Sequence, residues 1–202
     1  TEGSYSVSLT ATNNLGSDSK TITDYIIVTS GGTGTYCASQ STSNDLDWIA
    51  QVDVGTFSNS SGASLYYDFT YQIIGLSPGN SYNLSLTPFF TGKDQREFWR
   101  IWIDFNADGD FDDSGEQVFT ANNKKSAVSG TINIPAGLSG QSRMRVTMKN
   151  GGSPSPCETF SNGEVEDYTV DFGNGLSSLI KLDEFEIVLY PNQEKNTLNI
   201  KL

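Results

Sequence analysis

The 202-residue chain has no histidine, only two cysteines and two methionines, and few bases: 12 Lys and Arg stand against 24 Asp and Glu, a formal charge of −12. Without imidazole there is no Ser-His-Asp triad, no Cys-His dyad and no His-ligated zinc. The shortage of base removes the positive face that nucleic acid or an anionic membrane surface requires. No run approaches the roughly 20 apolar residues of a membrane span, so no membrane insertion is expected. Thr1 is followed by neither a charged n-region nor an apolar h-region, which reads as a fragment or a processed chain. A carboxylate-based enzyme, a hard-cation binder and a non-catalytic module remain open. Cys37 and Cys157, 120 positions apart, are either two buried thiols or one bridge. A chain rich in Thr, Ser, Asn and Gly looks extracellular, which favours the bridge.

What is present is alternation. Tyr5, Val7, Leu9 and Ala11 share one face of a strand and hydroxyls the other, and Thr21 to Val28 follows after the Asn14-Leu15-Gly16 turn. Further strands read at Asp47–Val54, Leu65–Gln72, Ser81–Phe89, Phe98–Phe105, Gln117–Thr120, Ala127–Ile134, Arg143–Lys149, Glu164–Phe172 and Phe185–Tyr190. Turn chemistry separates them, as at Ser77-Pro78-Gly79-Asn80 and Asn150-Gly151-Gly152. The pattern predicts an all-β chain: an antiparallel β-sandwich, jelly-roll or immunoglobulin-like, with partial β-domains at both ends. Glycine- and serine-rich linkers at 31–35 and 173–184 isolate a central unit, 36–172, from flanks at 1–30 and 185–202.

The sharpest local signal is Asp104-Phe105-Asn106-Ala107-Asp108-Gly109-Asp110-Phe111-Asp112. Oxygen side chains stand at positions 1, 3, 5, 7 and 9 of this DxNxDGDxD run, with glycine at 6. A hard cation such as Ca2+ takes six to eight oxygens, and alternate side chains on a tight loop converge on one point. Asp104, Asn106, Asp108 and Asp112 are the expected side-chain ligands, Asp110 the carbonyl donor and Glu116 an outer candidate. A strand precedes the loop and no helix follows, so it is no EF-hand. Crowding these acids without a cation is electrostatically unfavourable.

A second acidic run, Asn162-Gly163-Glu164-Val165-Glu166-Asp167-Tyr168, carries the letters GEVED. With Tyr36-Cys37, the Trp102-to-Asn106 strand, Arg143-Met144-Arg145-Val146 and Cys157, it resembles the GEVED domains of secreted bacterial proteins. The resemblance implies a β-sandwich accessory module without assigned catalytic activity, found beside peptidases, glycan-degrading enzymes and adhesins. Residues 3–28 resemble the last two strands of a PKD-type immunoglobulin-like domain, on Gly3-Ser4-Tyr5-Ser6-Val7, Ala11-Thr12-Asn13 and Gly16. Phe185 to Leu202 resembles the opening of a type IX secretion C-terminal sorting domain, on Tyr190-Pro191-Asn192 and Leu198-Asn199-Ile200. Gln193 stands where that family has a second proline. The resemblances imply a secreted or cell-surface protein of the Bacteroidota type.

Parity puts Glu164 and Glu166 on the strand face of Tyr168, Val170 and Phe172, toward a core, where carboxylates need partners. Two readings stand: ion pairing of Glu164, Glu166 and Asp167 with Arg143 and Arg145, or a second metal site. A glycosidase pair needs two carboxyls about 5 to 10 Å apart across a cleft. Acids clustered in runs suit a cation better, so no catalytic residue is assigned. Trp48, Trp99 and Trp102 are candidates for an exposed ligand platform. The sequence thus predicts a non-catalytic, calcium-binding accessory module. Its expected partners are the upstream domains of its own polypeptide and an extracellular glycan or adhesive matrix-protein ligand.

Overall fold

The computed structural model describes residues 3–14, 16–28, 35–173, 188–192 and 197–201. Those residues form strands and loops only, so none of their segments is a helix long and apolar enough to cross a membrane. Strands β1 (Gly3–Asn13) and β2 (Gly16–Val28) pair as an antiparallel hairpin with a register shift between Tyr5 and Val7. At the far end β13 (Val188–Asn192) and β14 (Thr197–Lys201) form a second antiparallel pair. Residues 31–34 and 174–184 of the two expected linkers lie outside the described residues, as do 185–187 of the last expected strand.

Two sheets build the central unit. One has the order β10-β7-β4-β5, from β4 (Asp47–Val54), β5 (Phe57–Ser60), β7 (Ser81–Phe90) and β10 (Val128–Asn133). The other has the order β3-β12-β11-β8-β9, from β3 (Gln40–Ser43), β8 (Glu97–Ile103), β9 (Gln117–Lys124), β11 (Gln141–Asn150) and β12 (Thr159–Asp171). Its sixth strand, β6 (Tyr66–Gly75), also pairs with β12. The expected β-sandwich is present and most of its pairings are antiparallel, with the addition that β3 and β6 both run parallel to β12, successive segments along one edge. Parallel neighbours require crossover connections, and no local hairpin signal announces them.

Inner side chains follow the two-residue period. In β4 the buried positions are Asp47, Ile49, Val52 and Val54, the parity changing at a bulge between Ile49 and Gln51. Across the larger sheet the register sets Glu164, Met148, Trp99 and Ala121 in one inward row, and Glu166, Val146, Ile101 and Phe119 in the next. The outer face of this sheet is not left to solvent: Arg100, Trp102, Arg145, Thr147 and Asp167 are buried there too. Residues 36–40, the acidic loop and the segment around Cys157 cover it, as the partners of these side chains show. Cys37 and Cys157 are joined in a disulfide with Cα atoms 5.4 Å apart, pinning two of these covering segments together. Closing a loop of 120 residues stabilises the fold by about 4–5 kcal/mol in the chain-entropy picture.

Candidate functional site

The covered outer face is organised by one guanidinium. Arg145 Nε and Nη2 donate to Asp167 Oδ1 and Oδ2, each at 2.7 Å, a bidentate fork with both partners buried. Nη1 donates to the Cys37 carbonyl at 2.8 Å and the Pro156 carbonyl at 2.7 Å, on both sides of the disulfide. Arg143 reaches the same carboxylate at 3.3 Å, and the Tyr66 hydroxyl donates to it at 3.1 Å. Both arginines therefore serve Asp167, and neither serves Glu164 or Glu166. Parity explains the difference: Asp167 pairs with Arg145 in register and points outward, whereas the two glutamates point inward. A cleft of about 190 Å3 opens beside this group, lined by Tyr36, Tyr66, Arg143, Arg145 and Asp167 among others.

The acidic loop is attached to that frame. Asp104 is fully buried at the end of β8; its Oδ1 accepts the Ala107 amide at 2.6 Å, and its Oδ2 accepts the Gly109 amide at 3.0 Å and the Tyr36 hydroxyl at 2.7 Å. Tyr36 in turn lies under Arg143 and against Phe111, and Phe111 lies under Arg145. Glu116, also buried, closes the loop by accepting the Phe105 amide at 2.9 Å and the Asp113 amide at 3.4 Å. Burial first, then the Asp104 and Asp113 charges, raises its carboxyl to about 7, against the pull of those two amides. Between these anchors Asn106, Asp108 and Asp110 each fold one side-chain oxygen back onto the amide two residues on. Gly109 at φ +97° and Ala107 at φ +56° supply the left-handed turns. Asn106, Asp108, Asp110 and Asp112 are exposed.

The chemistry of the donor set fits a hard cation. A carboxylate has about four lone-pair positions, of which Asp104 uses three and Glu116 two. Nonetheless, among the described residues no group of three acids or cysteines stands in metal-holding geometry with the side chains as placed.

On the inner face Glu166 is satisfied: Ser61 donates to Oε1 at 2.6 Å and Tyr168 to Oε2 at 2.7 Å. Burial nevertheless raises it to about 7. Glu164 Oε2 accepts the Ile49 amide at 2.7 Å, and its Oε1 has no partner. Burial, then the Glu166 charge, pushes Glu164 to about 9. Two further buried acids join this face that the sequence did not single out. Asp47 opens β4 with both oxygens unpartnered, and Glu97 opens β8 with one unpartnered. Burial raises them to about 6 and about 7. An isolated acid at the start of a strand carries no signal of its own; only the opposing sheet turns it inward.

The aromatic platform is corrected. Trp99 is fully buried on the inner face and Trp102 is 3% exposed beneath the outer covering, so neither can meet a ligand. Trp48 is half-buried and stacks on Phe89, ring centroids 4.2 Å apart at 18°, with Phe89 46% exposed.

Comparisons with known proteins give distant structural likenesses and a family match. The chain is similar to the CARDB domain of a Pyrococcus furiosus protein, crystallised in complex with di-metal ions. The identity is 11% and the TM-score 0.33, over 66% of this chain and 99% of that one. It is also similar to an AA10 lytic polysaccharide monooxygenase from Streptomyces lividans, at 17% identity and a TM-score of 0.30, over 52% of this chain and 60% of that one. No curated protein matches the sequence. The family model described as the GEVED domain matches residues 98–171, which span β8 through β12, the acidic loop and the Arg145–Asp167 pair.

Proposed function

We propose that the chain is a non-catalytic, calcium-stabilised β-sandwich accessory module of a secreted bacterial protein, presenting a neighbouring catalytic or adhesive domain. The observation that carries this reading is the construction of the acidic loop. Its two terminal acids, Asp104 and Glu116, are buried and hold loop amides, while the oxygen side chains between them face outward. A loop fixed at both ends with oxygen side chains between them suits the six to eight oxygen donors that a calcium-type cation takes. Tyr36 and Phe111 connect that loop to the arginines that hold Asp167 and the disulfide, so an ion there would brace the whole outer covering. Against catalysis stands the position of the raised acids Glu164 and Glu166. Both are fully buried, with no face open to a substrate. Removing calcium from the full chain with EDTA is expected to lower the melting temperature by roughly 5–10 °C. That is the effect of about 2.7 kcal/mol from an ion present at a hundred times its dissociation constant. Added Ca2+ should restore it, and an unchanged melting temperature would sink the reading.

The Trp48–Phe89 stack favours a second role, as a contact face for an extracellular glycan. Planar rings on the outside of a sheet suit the apolar faces of sugars. Trp48→Ala should abolish retention of the chain on an insoluble polysaccharide while leaving its melting temperature within about 2 °C, as befits a half-exposed residue. Retention on a matrix protein alone would replace the glycan with an adhesive partner.

A further inference from the structure

We propose that Asp47, Glu97 and Glu164 form a second, internal cation site between the two sheets, separate from the acidic loop and suited to a divalent hard cation of the calcium type. The three come from different strands, β4, β8 and β12, and each is 0% exposed. Four of their six carboxylate oxygens (Asp47 Oδ1 and Oδ2, Glu97 Oε2 and Glu164 Oε1) have no hydrogen-bond partner. The remaining two are anchored. Asn150 Nδ2 donates to Glu97 Oε1 at 3.2 Å, and the Ile49 amide donates to Glu164 Oε2. Each glutamate is thus held by one oxygen with the other left free, the arrangement of a ligand fixed by its surroundings.

No basic side chain among the described residues neutralises these acids. The ion pairs among the described residues involve Asp167 and Glu158 and none of these three acids. A neutral carboxylic acid would still need an acceptor for its proton, and Asp47 has neither donor nor acceptor. Glu166 is the internal comparison: on the same strand and face, it is fully satisfied by Ser61 and Tyr168. The sandwich can therefore satisfy a buried acid, and at the neighbouring position it does not. Pairing brings the three together: the Ile49 amide, two residues on from Asp47, bonds Glu164, while Asn150, opposite Glu97, lies two residues on from Met148, which stands opposite Glu164.

Oxygen-only donors select a hard cation over zinc or copper. Three ionised carboxylates around one divalent ion would leave a single residual negative charge. The carboxylate tips do not converge on one point as they stand, so the site would be completed only on loading. Asn150, bonded to Glu97, also lines a solvent-open cleft of about 550 Å3 whose rim carries Asp94, Arg96 and Lys125.

The test is calcium counting by equilibrium dialysis on the stripped full chain. Wild type should hold two ions, D47N/E97Q one, and D104N/D108N one. Two other results would overturn the internal site. One is wild type binding a single ion that D104N/D108N abolishes and D47N/E97Q leaves intact; the other is no ion bound at all. An ion lost only in D47N/E97Q would support the internal site while removing the one in the loop. Folding is controlled in EDTA, where D47N/E97Q should melt no lower than wild type because it removes uncompensated buried acids. Should the double variant be unfolded there, the single E97Q substitution should weaken the internal ion by a factor of about 10 or more, and an unchanged affinity would overturn the site.

Discussion

Arg145→Met is expected to destabilise the chain by about 3–5 kcal/mol, the range for removing one member of a buried pair and stranding the other. The substitution leaves the Asp167 carboxylate buried with only Arg143 and the Tyr66 hydroxyl. It also deprives the Cys37 and Pro156 carbonyls of their shared donor. Denaturant unfolding of the full chain with the disulfide intact measures the loss. Replacing Asp167 by leucine in the same background should recover part of it, since the stranded charge is then gone. A loss below about 1 kcal/mol, the value of an exposed pair, would show that the guanidinium is not the organiser of the outer face.

The second large effect is expected at Gly163→Ala. Gly163 has φ +122°, a region that side chains do not tolerate, and a Cβ there would collide with the Met148 carbonyl of the adjacent strand. Strain and collision together should cost roughly 3 kcal/mol or more, because the clash is with backbone that cannot rotate away. Gly137→Ala is the control. Its φ is also left-handed, +83°, but the space around it is open, so only about 1–2 kcal/mol of conformational strain is expected. Equal melting temperatures for the two variants would remove the packing argument. The glycine of the GEVED run thus has a backbone role: it lets β12 approach β11 at the point where Glu164 turns inward.

Much of the sandwich was legible because period-2 alternation survives wherever one face of a strand is buried. It failed at β3 and β5, four-residue strands reading Gln40-Ser41-Thr42-Ser43 and Phe57-Ser58-Asn59-Ser60, where there is hardly an apolar side chain to alternate. It also failed for sheet direction, because the pairing of β6 and β3 with β12 joins segments about a hundred residues apart. Local residues fix which positions point together, and long-range register fixes what they meet.

The same division runs through the site. The acidic loop was legible because its oxygens are spaced within nine positions. The inward parity of Glu164 and Glu166 followed from Tyr168, Val170 and Phe172 on the same face. Their partners were not legible. Arg145 could be assigned to Asp167 only once β11 and β12 were in register. Asp47 and Glu97 became visible only when two sheets closed over them. Trp102 was misplaced for a related reason: its strand face is outward, and loops from distant segments bury it.

The acidity that excludes so many functions at the outset is therefore structured. Eleven of the 24 acids fall within residues 104–116 and 158–171, stretches without a single Lys or Arg. Part of the second stretch is neutralised by Arg145, Arg143 and Lys149. The loop has no such counter-charge among the described ion pairs, which is why a cation is central to the account. Diffraction from crystals of the full chain grown in Ca2+ tests that most directly. An ion is expected inside the loop, held by the Asp104, Asn106, Asp108 and Asp112 side chains and the Asp110 carbonyl, at the 2.3–2.6 Å of calcium–oxygen bonds. A loop that keeps its amide-closed form around water in saturating calcium would contradict it.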